Sequence, residues 1–376
     1  MQNGISIGLA RMHAEINEKR DFLPDFVRNL QNNGFQVYLE KGYGSGIGMS
    51  EQAYLDAAPT IQFVSQDEVY QQDYVLVLRY PGDATVKTMR PGSCLISMLH
   101  YPTRPNRVEF LKERQVNGIS LDSLVDDNGR RLVENLRSVA WNGVTEAFEV
   151  LKNIFPAPGL YSSKRPPVQV VLLGAGSVGH HAVQAAIHYG DPALHHQLAQ
   201  ENVPGVMVHV VDYDLTPISD LMIGLLRKAD LLIDATYRHN ASKPVIPNQW
   251  VGEMPQHAVL LDLSVDPYDF QIEPPIVKGI EGIPQGNLDQ YVFPPDSEAF
   301  NRIPSGVDTT HRRHSVSCYS WPGIRPKECM EVYGNQLRPI MRTLVEAGGI
   351  DHISKNGNYF QRAVYRASLH HWDEAG

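Results

Sequence analysis

Val168-Gln-Val-Val-Leu-Leu-Gly-Ala-Gly-Ser-Val-Gly179 decides the fold of this chain, because an apolar β-type run stops there at a Gly-x-Gly-x-x-Gly pattern. In a Rossmann interpretation, the first glycine permits the tight turn out of the strand, and the second lets the backbone approach a pyrophosphate. The third lets the next helix pack closely on the strand, and the pyrophosphate lies on the N-terminus of that helix. The stretch therefore predicts a dinucleotide-binding domain, with a structural glycine-rich turn as the alternative. The cofactor-binding residues that it predicts are Gly174, Gly176, Ser177, Val178 and Gly179.

The next apolar run along the chain ends at an acidic residue, Asp212. A carboxylate at the end of that strand accepts hydrogen bonds from the adenosine ribose and repels a 2′-phosphate, which favours NAD over NADP. The spacing from Gly179 is 33 residues (212 minus 179), against about 20 in the usual fingerprint. We attribute the excess to residues 191–205, a polar insertion that can be looped out between helix and strand. Asp214 is the alternative ribose ligand.

The composition is that of a globular protein with small-molecule chemistry. A chain of 376 residues is too long for one ordinary core, so two domains are expected. The net charge of -9 disfavours the binding of nucleic acid, which needs a basic surface. We find neither a signal-peptide pattern nor an apolar run of about 20 residues, so we expect a cytoplasmic protein. The three cysteines have no CxxC spacing, so neither a disulfide framework nor a metal site is expected.

The N-terminal third alternates apolar strand patterns with amphipathic helix patterns, which is typical of βαβ units. Arg79 directly follows the apolar run 74–78, and His100 directly follows the run 94–99. Because ligands bind outside the carboxyl ends of strands in open α/β sheets, both residues are candidates for a substrate site. The alternatives are a solvated arginine and a hydrogen-bonded surface histidine.

Two further patterns set the predicted domain organisation. A long helical pattern over 131–152, followed by proline breakers, indicates a rigid connector between domains. An irregular proline-rich stretch follows residue 266, and a helical pattern returns over 328–347, which we expect to rejoin the N-terminal sheet. The predicted fold is α/β, with two Rossmann-like domains that contain parallel sheets and an active site in the cleft between them. The predicted domains are residues 1–136 plus 319–376 for the substrate and residues 137–318 for NAD.

Several segments carry a family resemblance. They are Glu18-Lys-Arg-Asp-Phe-Leu-Pro24, Val77-Leu-Arg-Tyr-Pro81, Leu99-His100 and Leu263-Ser-Val-Asp266. These segments resemble the alanine dehydrogenase and pyridine nucleotide transhydrogenase family, including its lysine-forming saccharopine dehydrogenase branch. Two more stretches, 126–131 and 235–247, are similar to the saccharopine branch in particular.

The resemblance implies a role for each matching residue. Arg20 falls on the arginine that holds the substrate carboxylate, and His100 falls on the catalytic histidine. Asp266 falls on the aspartate beside the nicotinamide, where it would orient the carboxamide or an attacking water. Arg79 stands where the family has a lysine. Because arginine keeps its proton in proteins, Arg79 could clamp a carboxylate or polarise a carbonyl but could not be a general acid or base. Proton transfer would therefore fall to His100.

The resemblance implies an NAD-dependent oxidoreductase that acts on the CH-NH bond of an L-amino acid, as alanine dehydrogenases do, or of an amino-acid secondary amine, as saccharopine dehydrogenases do. Hydride would leave the substrate α-carbon for the nicotinamide. The implied partners are an amino or keto acid and further copies of the chain in a homo-oligomer, with no membrane and no nucleic acid. The alternative is a catalytically inactive NAD-binding module that serves as a sensor or a subunit.

Overall fold

The chain divides into two compact units in the computed structural model. The structure describes residues 4–15, 17–236, 243–264, 268–277 and 279–375. Unit 1 comprises Met1–Asn135 and Arg325–Gly376, and unit 2 comprises Leu136–Ile324. Each unit is built around a six-stranded sheet of its own.

The first part of unit 1 alternates strands and helices along the chain. The strands are β1 (Ser6–Leu9), β2 (Gln36–Glu40), β3 (Gln62–Val64), β4 (Tyr74–Arg79), β5 (Cys94–Met98) and β6 (Asn117–Ser120). The helices are α1 (Pro24–Asn32), α2 (Glu51–Ala57), α3 (Gln66–Val69), α4 (Asp83–Val86) and α5 (Pro105–Glu113). The strands pair in parallel in the order β3-β2-β1-β4-β5-β6. The strand order reverses between β1 and β4, and at such a switch point open α/β sheets bind ligands outside the carboxyl ends of the strands.

Unit 2 begins with a long helix and continues as a second doubly wound sheet. Its helices are α6 (Leu136–Ile154), α7 (Ser177–Ile187), α8 (Pro192–Gln200), α9 (Ser219–Leu226) and α10 (Asn248–Gly252). Its strands are β7 (Val168–Leu173), β8 (Val206–Val211), β9 (Leu231–Asp234), β10 (Val259–Asp262), β11 (Val292–Phe293) and β12 (His314–Ser317). They lie in the order β11-β12-β10-β9-β7-β8, with only β11 antiparallel among the described strands. The strand order reverses between β7 and β9, so the glycine loop after β7 lies at the switch point.

The last three helices return to unit 1. They are α11 (Pro326–Ala347), α12 (Tyr359–Ala367) and α13 (Leu369–Ala375). Helix α11 buries Met330 and Leu337 in the same core cluster as Phe26 and Leu30 of α1. Because both helices are strongly amphipathic and turn their apolar sides to one core, the tail completes the hydrophobic layer on this face of the first sheet.

The structure corrects three details of the sequence interpretation. The loop predicted over 191–205 is wrong, because α8 occupies most of it and the Asp191 side chain caps that helix. The long helix begins at Leu136, because Val125 and Arg131 form an antiparallel bridge instead. Residues up to Ile324 belong to unit 2, since buried Trp321 donates a hydrogen bond to the Asp262 carbonyl oxygen there.

The predicted α/β class with two mostly parallel sheets is confirmed. Strands β4, β7, β9 and β10 are mostly apolar and buried along their length, as expected for parallel sheets that are covered on both faces. Within the described ranges, no helix has both the length and the apolar character that crossing a membrane requires.

Candidate active site

The carboxyl edge of the unit 1 sheet gathers charged side chains around its switch point. They are Glu15, Glu18 and Arg20 after β1, Arg79 at the end of β4, His100 after β5 and Asp122 after β6. Parallel strands bring their carboxyl ends to one edge, so residues far apart in the chain meet there. The structure therefore groups the predicted residues Arg20, Arg79 and His100 on one edge of one sheet.

Arg79 forms an ion pair with Glu15 at this edge. Its Nε lies 2.6 Å from Glu15 Oε1, and the two side chains are 31% and 29% exposed. The register between β4 and β5 shifts between Leu76 and Arg79, an irregularity that re-aims the last side chain of β4. The Arg79 guanidinium is thus partly accessible, and its Glu15 partner occupies a position that an anion could take.

Arg20 forms a second, buried ion pair with Glu18. Arg20 Nε donates to Glu18 Oε1 at 2.8 Å, and Nη2 donates to Oε2, so the guanidinium is held by both oxygens. Burial acts to lower the pKa of Arg20, but the hydrogen bonds and charge of Glu18 raise it above its ordinary value. Burial likewise acts to raise the pKa of Glu18, yet Arg20 and the charge of Arg79 hold it below its ordinary value. Arg20 is therefore a fixed cation whose position Glu18 determines.

His100 is oriented by Asp122. The His100 backbone N–H donates to Asp122 Oδ1 at 3.1 Å, and His100 Nδ1 lies 3.3 Å from Asp122 Oδ2. The Ser120 hydroxyl also donates to Asp122 Oδ1, at 2.8 Å. Burial acts to raise the pKa of Asp122, but the bonds and charge of His100, with the Ser120 hydroxyl, lower it to about 2. His100 itself has a φ of 53°, in the left-handed region that non-glycine residues seldom occupy.

The glycine loop of unit 2 has the geometry that a dinucleotide requires. Gly174 has a φ of 91°, and a Cβ there would lie 2.7 Å from the Ala235 carbonyl oxygen. A Cβ at Gly179 would overlap the Gly174 carbonyl oxygen, so α7 packs against the turn only without a side chain. A Cβ at Gly176 would meet nothing within 4 Å, so the protein itself does not require glycine there. The open space beside Gly176 is where a pyrophosphate would approach the backbone.

The other predicted nucleotide contacts follow from the ends of α7 and β8. Ser177 and Val178 are the first two residues of α7, where backbone N–H groups have no partner within the helix. Asp212 follows the last residue of β8, and its Oδ1 accepts a hydrogen bond from the Tyr213 backbone N–H at 2.9 Å. Its carboxylate is thereby oriented at the carboxyl edge of this sheet.

Asp266 lies outside the described residues, as does part of the stretch 235–247. Two neighbouring carboxylates that the sequence interpretation missed lie at the same sheet edge. Asp234 and Asp262 end the adjacent strands β9 and β10 and face each other in register, 0% and 5% exposed. Asp234 directly follows Leu231-Leu-Ile233, and Asp262 directly follows Ala258-Val-Leu-Leu261, so each aliphatic run was a signal available in the sequence.

Glu15, Glu18 and Asp122 are the missed residues of unit 1. Glu18 and Glu15 lie in a segment without regular structure, where no periodicity predicts a partner. Asp122 follows the run 118–121, so its place after a strand was a usable signal. Its contact with His100 depends on the pairing of β5 with β6, which the sequence does not specify.

The sequence matches one protein family and is similar to named proteins. Residues 14–140 match the family described as "Alanine dehydrogenase/PNT, N-terminal domain". The chain is 22% identical over 355 residues to the alanine dehydrogenase of Bacillus subtilis, covering 90% of this chain and 86% of that protein. It is 26% identical over 188 residues to the NAD(P) transhydrogenase subunit alpha of Haemophilus influenzae, covering 49% of this chain and 36% of that protein.

Solved structures show the same fold. An L-alanine dehydrogenase superposes with a TM-score of 0.73 at 19% identity, covering 97% of this chain and 94% of that one. A transhydrogenase from Sinorhizobium meliloti superposes with a TM-score of 0.62 at 17% identity, covering 90% and 94%.

Proposed function

We propose that this chain, which belongs to the alanine dehydrogenase and pyridine nucleotide transhydrogenase family, is an NAD-dependent oxidoreductase acting on the CH-NH bond of an amino acid. The observation that carries the proposal is the grouping of Arg79, Arg20 and the His100–Asp122 pair at one sheet edge. Catalysis on an amino acid requires cations that bind the substrate carboxylate and, beside them, an oriented imidazole that transfers a proton.

Unit 1 would bind the substrate through its cations. Arg79 is the partly accessible guanidinium, so the substrate carboxylate would replace Glu15 as its partner. Arg20, which Glu18 holds in a fixed position, would be the second arginine that contacts the substrate carboxylate. Because Arg79 keeps its proton, it would bind and polarise but would not transfer protons.

His100 would move the proton. Asp122 engages Nδ1, which leaves Nε2 as the nitrogen that exchanges a proton with the substrate amine or with a water attacking the imine. The carboxylate holds the ring in one tautomer and one orientation, so Asp122 is a positioning residue for His100.

Unit 2 would hold the nucleotide. Gly174, Gly176 and Gly179 shape the loop. The N–H groups of Ser177 and Val178 would bind the pyrophosphate, and the Asp212 carboxylate would accept hydrogen bonds from the ribose hydroxyls. When bound, NAD supplies the hydride acceptor. Asp266 beside the nicotinamide remains a prediction from the resemblance, as do the cytoplasmic location and the homo-oligomer.

Two alternatives stay within the proposal. A secondary-amine substrate, as in the saccharopine branch, is favoured by the stretches 126–131 and 235–247. An inactive NAD-binding subunit is favoured by Arg79, which replaces the family's lysine and so removes a titratable group from the edge.

A substrate screen separates these possibilities. NADH formation is followed by absorbance with alanine, lysine, ornithine and saccharopine as substrates, and NAD binding is measured in parallel by calorimetry. We expect NAD to bind and at least one of these compounds to be oxidised. If NAD binds well and none of the compounds is oxidised, the oxidoreductase proposal fails and the subunit alternative replaces it.

A further inference from the structure

Strand β8 is an open edge of the unit 2 sheet. In unit 1, β3 pairs with the outer side of β2, the second strand of that sheet along the chain. In unit 2, β8 takes the place of β2 but ends the sheet, because no described strand pairs with its outer side. The segment 212–230 between β8 and β9 contains α9 as its one regular element, whereas the chain between β2 and β4 also contains β3. Unit 2 therefore lacks the strand that covers this edge in unit 1.

The backbone of β8 can bond a further strand on its outer side. The Val168 N–H donates to the Gly205 carbonyl oxygen, so Gly205 and every second residue after it turn their backbone groups to β7. The residues between them direct their N–H and C=O groups outward, where an edge strand presents a row of donors and acceptors. These outward residues are Val206, Val208 and Val210.

The strand has none of the features that usually block such an edge. Val206-Met-Val-His-Val-Val211 contains no lysine, no proline and no acidic residue, whereas proteins commonly protect an edge with charge, proline or a bulge. Its register with β7 is regular over all six residues. Valine, which favours strands, occupies four of the six positions. The edge is therefore suited to pairing with another strand.

Exposed apolar side chains are concentrated beside this edge. Nine large hydrophobic side chains are exposed in the described residues, and six of them lie within 207–221. The six are Met207 and Val210 of β8, at 48% and 44% exposed, with Tyr213, Leu215, Ile218 and Leu221 after it.

These side chains supply a large part of the area that a stable interface needs. Without Tyr213, which adjoins the proposed ribose ligand Asp212, the other five expose roughly 400 Å² per copy, half of the roughly 800 Å² that each partner contributes to a standard interface. Pairing of the strand backbone and contact between the flanking helices would add to this area.

A second copy of β8 is complementary to the first. In an antiparallel pair with a two-fold axis at Val208, Val208 lies opposite its own copy and Val206 lies opposite Val210. All three outward residues then exchange hydrogen bonds across the axis. On the other face of the sheet, Met207 lies opposite His209, so no charged side chain enters the paired region.

The charge of the chain favours the antiparallel arrangement. The net charge of -9 makes copies repel one another in general, so they associate best where no like charges meet. Antiparallel pairing brings Asp212 of each copy near Pro204 of the other, whereas parallel pairing in register would bring the two Asp212 carboxylates together.

We propose that β8 binds the β8 strand of a second copy of this chain, in antiparallel pairing about a two-fold axis at Val208. The two unit 2 sheets then form one continuous sheet, and the contact closes after two chains because both copies use the same surface. The pairing gives a definite surface to the homo-oligomer that the family resemblance predicts. It does not depend on the proposed oxidation of an amino acid.

A cysteine at the axis tests the register. In Val208→Cys the facing Cα atoms would lie about 5.5 Å apart, within the range that a disulfide spans. The native cysteines Cys94, Cys318 and Cys329 are buried, so diamide should link two chains of this variant and should leave the wild type unlinked on a non-reducing gel. Val206→Cys is the control in the same strand: its copy would lie roughly 14 Å away along the pair, too far for a disulfide.

Two further variants test the strength of association by sedimentation equilibrium of the full chain. Val208→Pro removes an outward N–H without removing a bond to β7, and should weaken association at least about 10-fold. Met207→Lys places a charge on the edge and should weaken it by a similar factor, so it serves even if Val208→Pro fails to fold. Tyr359→Lys, at another exposed apolar side chain, lies in unit 1 and should associate as the wild type does.

Three results would overturn the proposal. They are a wild-type chain that stays monomeric at every concentration measured, an unchanged association of Met207→Lys, and cross-linking of Val206→Cys that equals that of Val208→Cys. Two-chain cross-linking confined to Val208→Cys supports the pairing whether or not the substrate screen finds an oxidised amino acid.

Discussion

The two sheets end in chemically different ways at the same topological position. The carboxyl edge of unit 1 is lined by ion pairs, with Arg79 on Glu15, Arg20 on Glu18 and His100 on Asp122. The turn after β7 in unit 2 presents backbone, because a Cβ at Gly174 or Gly179 would overlap neighbouring main-chain atoms. The first edge acts through side-chain charge, and the second acts through the close approach of a ligand to main-chain N–H groups. Substitutions should therefore affect the two edges in different ways.

The largest expected effect is on catalysis at the carboxyl edge of the unit 1 sheet, which holds Arg20, Arg79 and His100 and is called the charged edge below. His100→Ala should lower turnover about 10²- to 10⁴-fold, the usual contribution of a general acid-base group, and should leave the NAD affinity unchanged. Steady-state kinetics and NAD calorimetry on the same preparation check both parts. His352→Ala, at another exposed histidine of unit 1, is the matched control and should retain wild-type turnover. A wild-type rate in His100→Ala would remove this residue from the mechanism.

The next effect concerns the stability of unit 2 at the turn with Gly174, Gly176 and Gly179, called the glycine edge below. Gly179→Ala should destabilise unit 2 by about 3 kcal/mol, because the added Cβ overlaps the Gly174 carbonyl oxygen and the helix must move. Gly224→Ala in α9 is the control, since a Cβ there meets nothing within 4 Å and alanine favours a helix. Thermal unfolding followed by circular dichroism is the measurement. Equal melting temperatures for the two variants would contradict the close packing of α7 on the turn.

A third effect concerns pH, because two carboxyl groups of unit 1 have pKa values shifted in opposite directions. Burial raises the pKa of Asp21 to about 6, against the Gly44 N–H and the charge of Arg11. Between pH 4 and 6 the folded state therefore holds a proton that the unfolded state has lost, so stability falls as pH rises and the penalty is complete above pH 6. Asp122 has the opposite sign: its pKa of about 2 stabilises the fold above pH 4, and this stabilisation is lost as pH falls towards 2.

Asp21→Asn tests whether the ionised Asp21 carboxylate destabilises the folded protein. The amide keeps an oxygen to accept the Gly44 N–H but carries no charge, so the variant should exceed the wild type in stability at pH 7 by about 1–2 kcal/mol. At pH 4 the two proteins should be equal. Urea unfolding at both pH values gives the comparison, and a wild-type protein that is the more stable one at pH 7 would contradict a destabilised Asp21 carboxylate.

A fourth effect concerns the choice between NAD and NADP. NAD should bind more tightly than NADP, and Asp212→Ala should narrow the preference by about 1–3 kcal/mol, the cost of leaving polar partners unmet. Calorimetric titration with both nucleotides measures the difference, and Asp214→Ala is the control. Equal or tighter binding of NADP to the wild-type protein would reject the role assigned to Asp212.

The sequence predicted those features that depend on residues close together in the chain. The loop at Gly174 follows from one strand, one turn and one helix, and Arg79 and His100 were found because each ends an apolar run. The ion partners Glu15 and Asp122 were missed, because they depend on which strands are neighbours in the sheet.

Helix α8 was missed for another reason. Asp191 followed by Pro192 is a helix start signal, with a capping carboxylate and a proline in the first turn. The sequence interpretation gave more weight to the prolines as loop formers than to the apolar positions Leu194 and Leu198. The role of Asp266 is predicted from the family resemblance alone, because Asp266 lies outside the described residues.

The central claim is that the glycine edge of unit 2 binds the nucleotide and the charged edge of unit 1 does not. NAD calorimetry on Gly176→Val and Arg79→Gln tests this most directly. A side chain at Gly176 meets no protein atom within 4 Å of its Cβ, so the variant should unfold at the wild-type temperature. We predict that Gly176→Val loses at least about 10-fold in NAD affinity and that Arg79→Gln stays within about 2-fold of the wild type. Wild-type affinity in Gly176→Val, or a large loss in Arg79→Gln, would contradict the account.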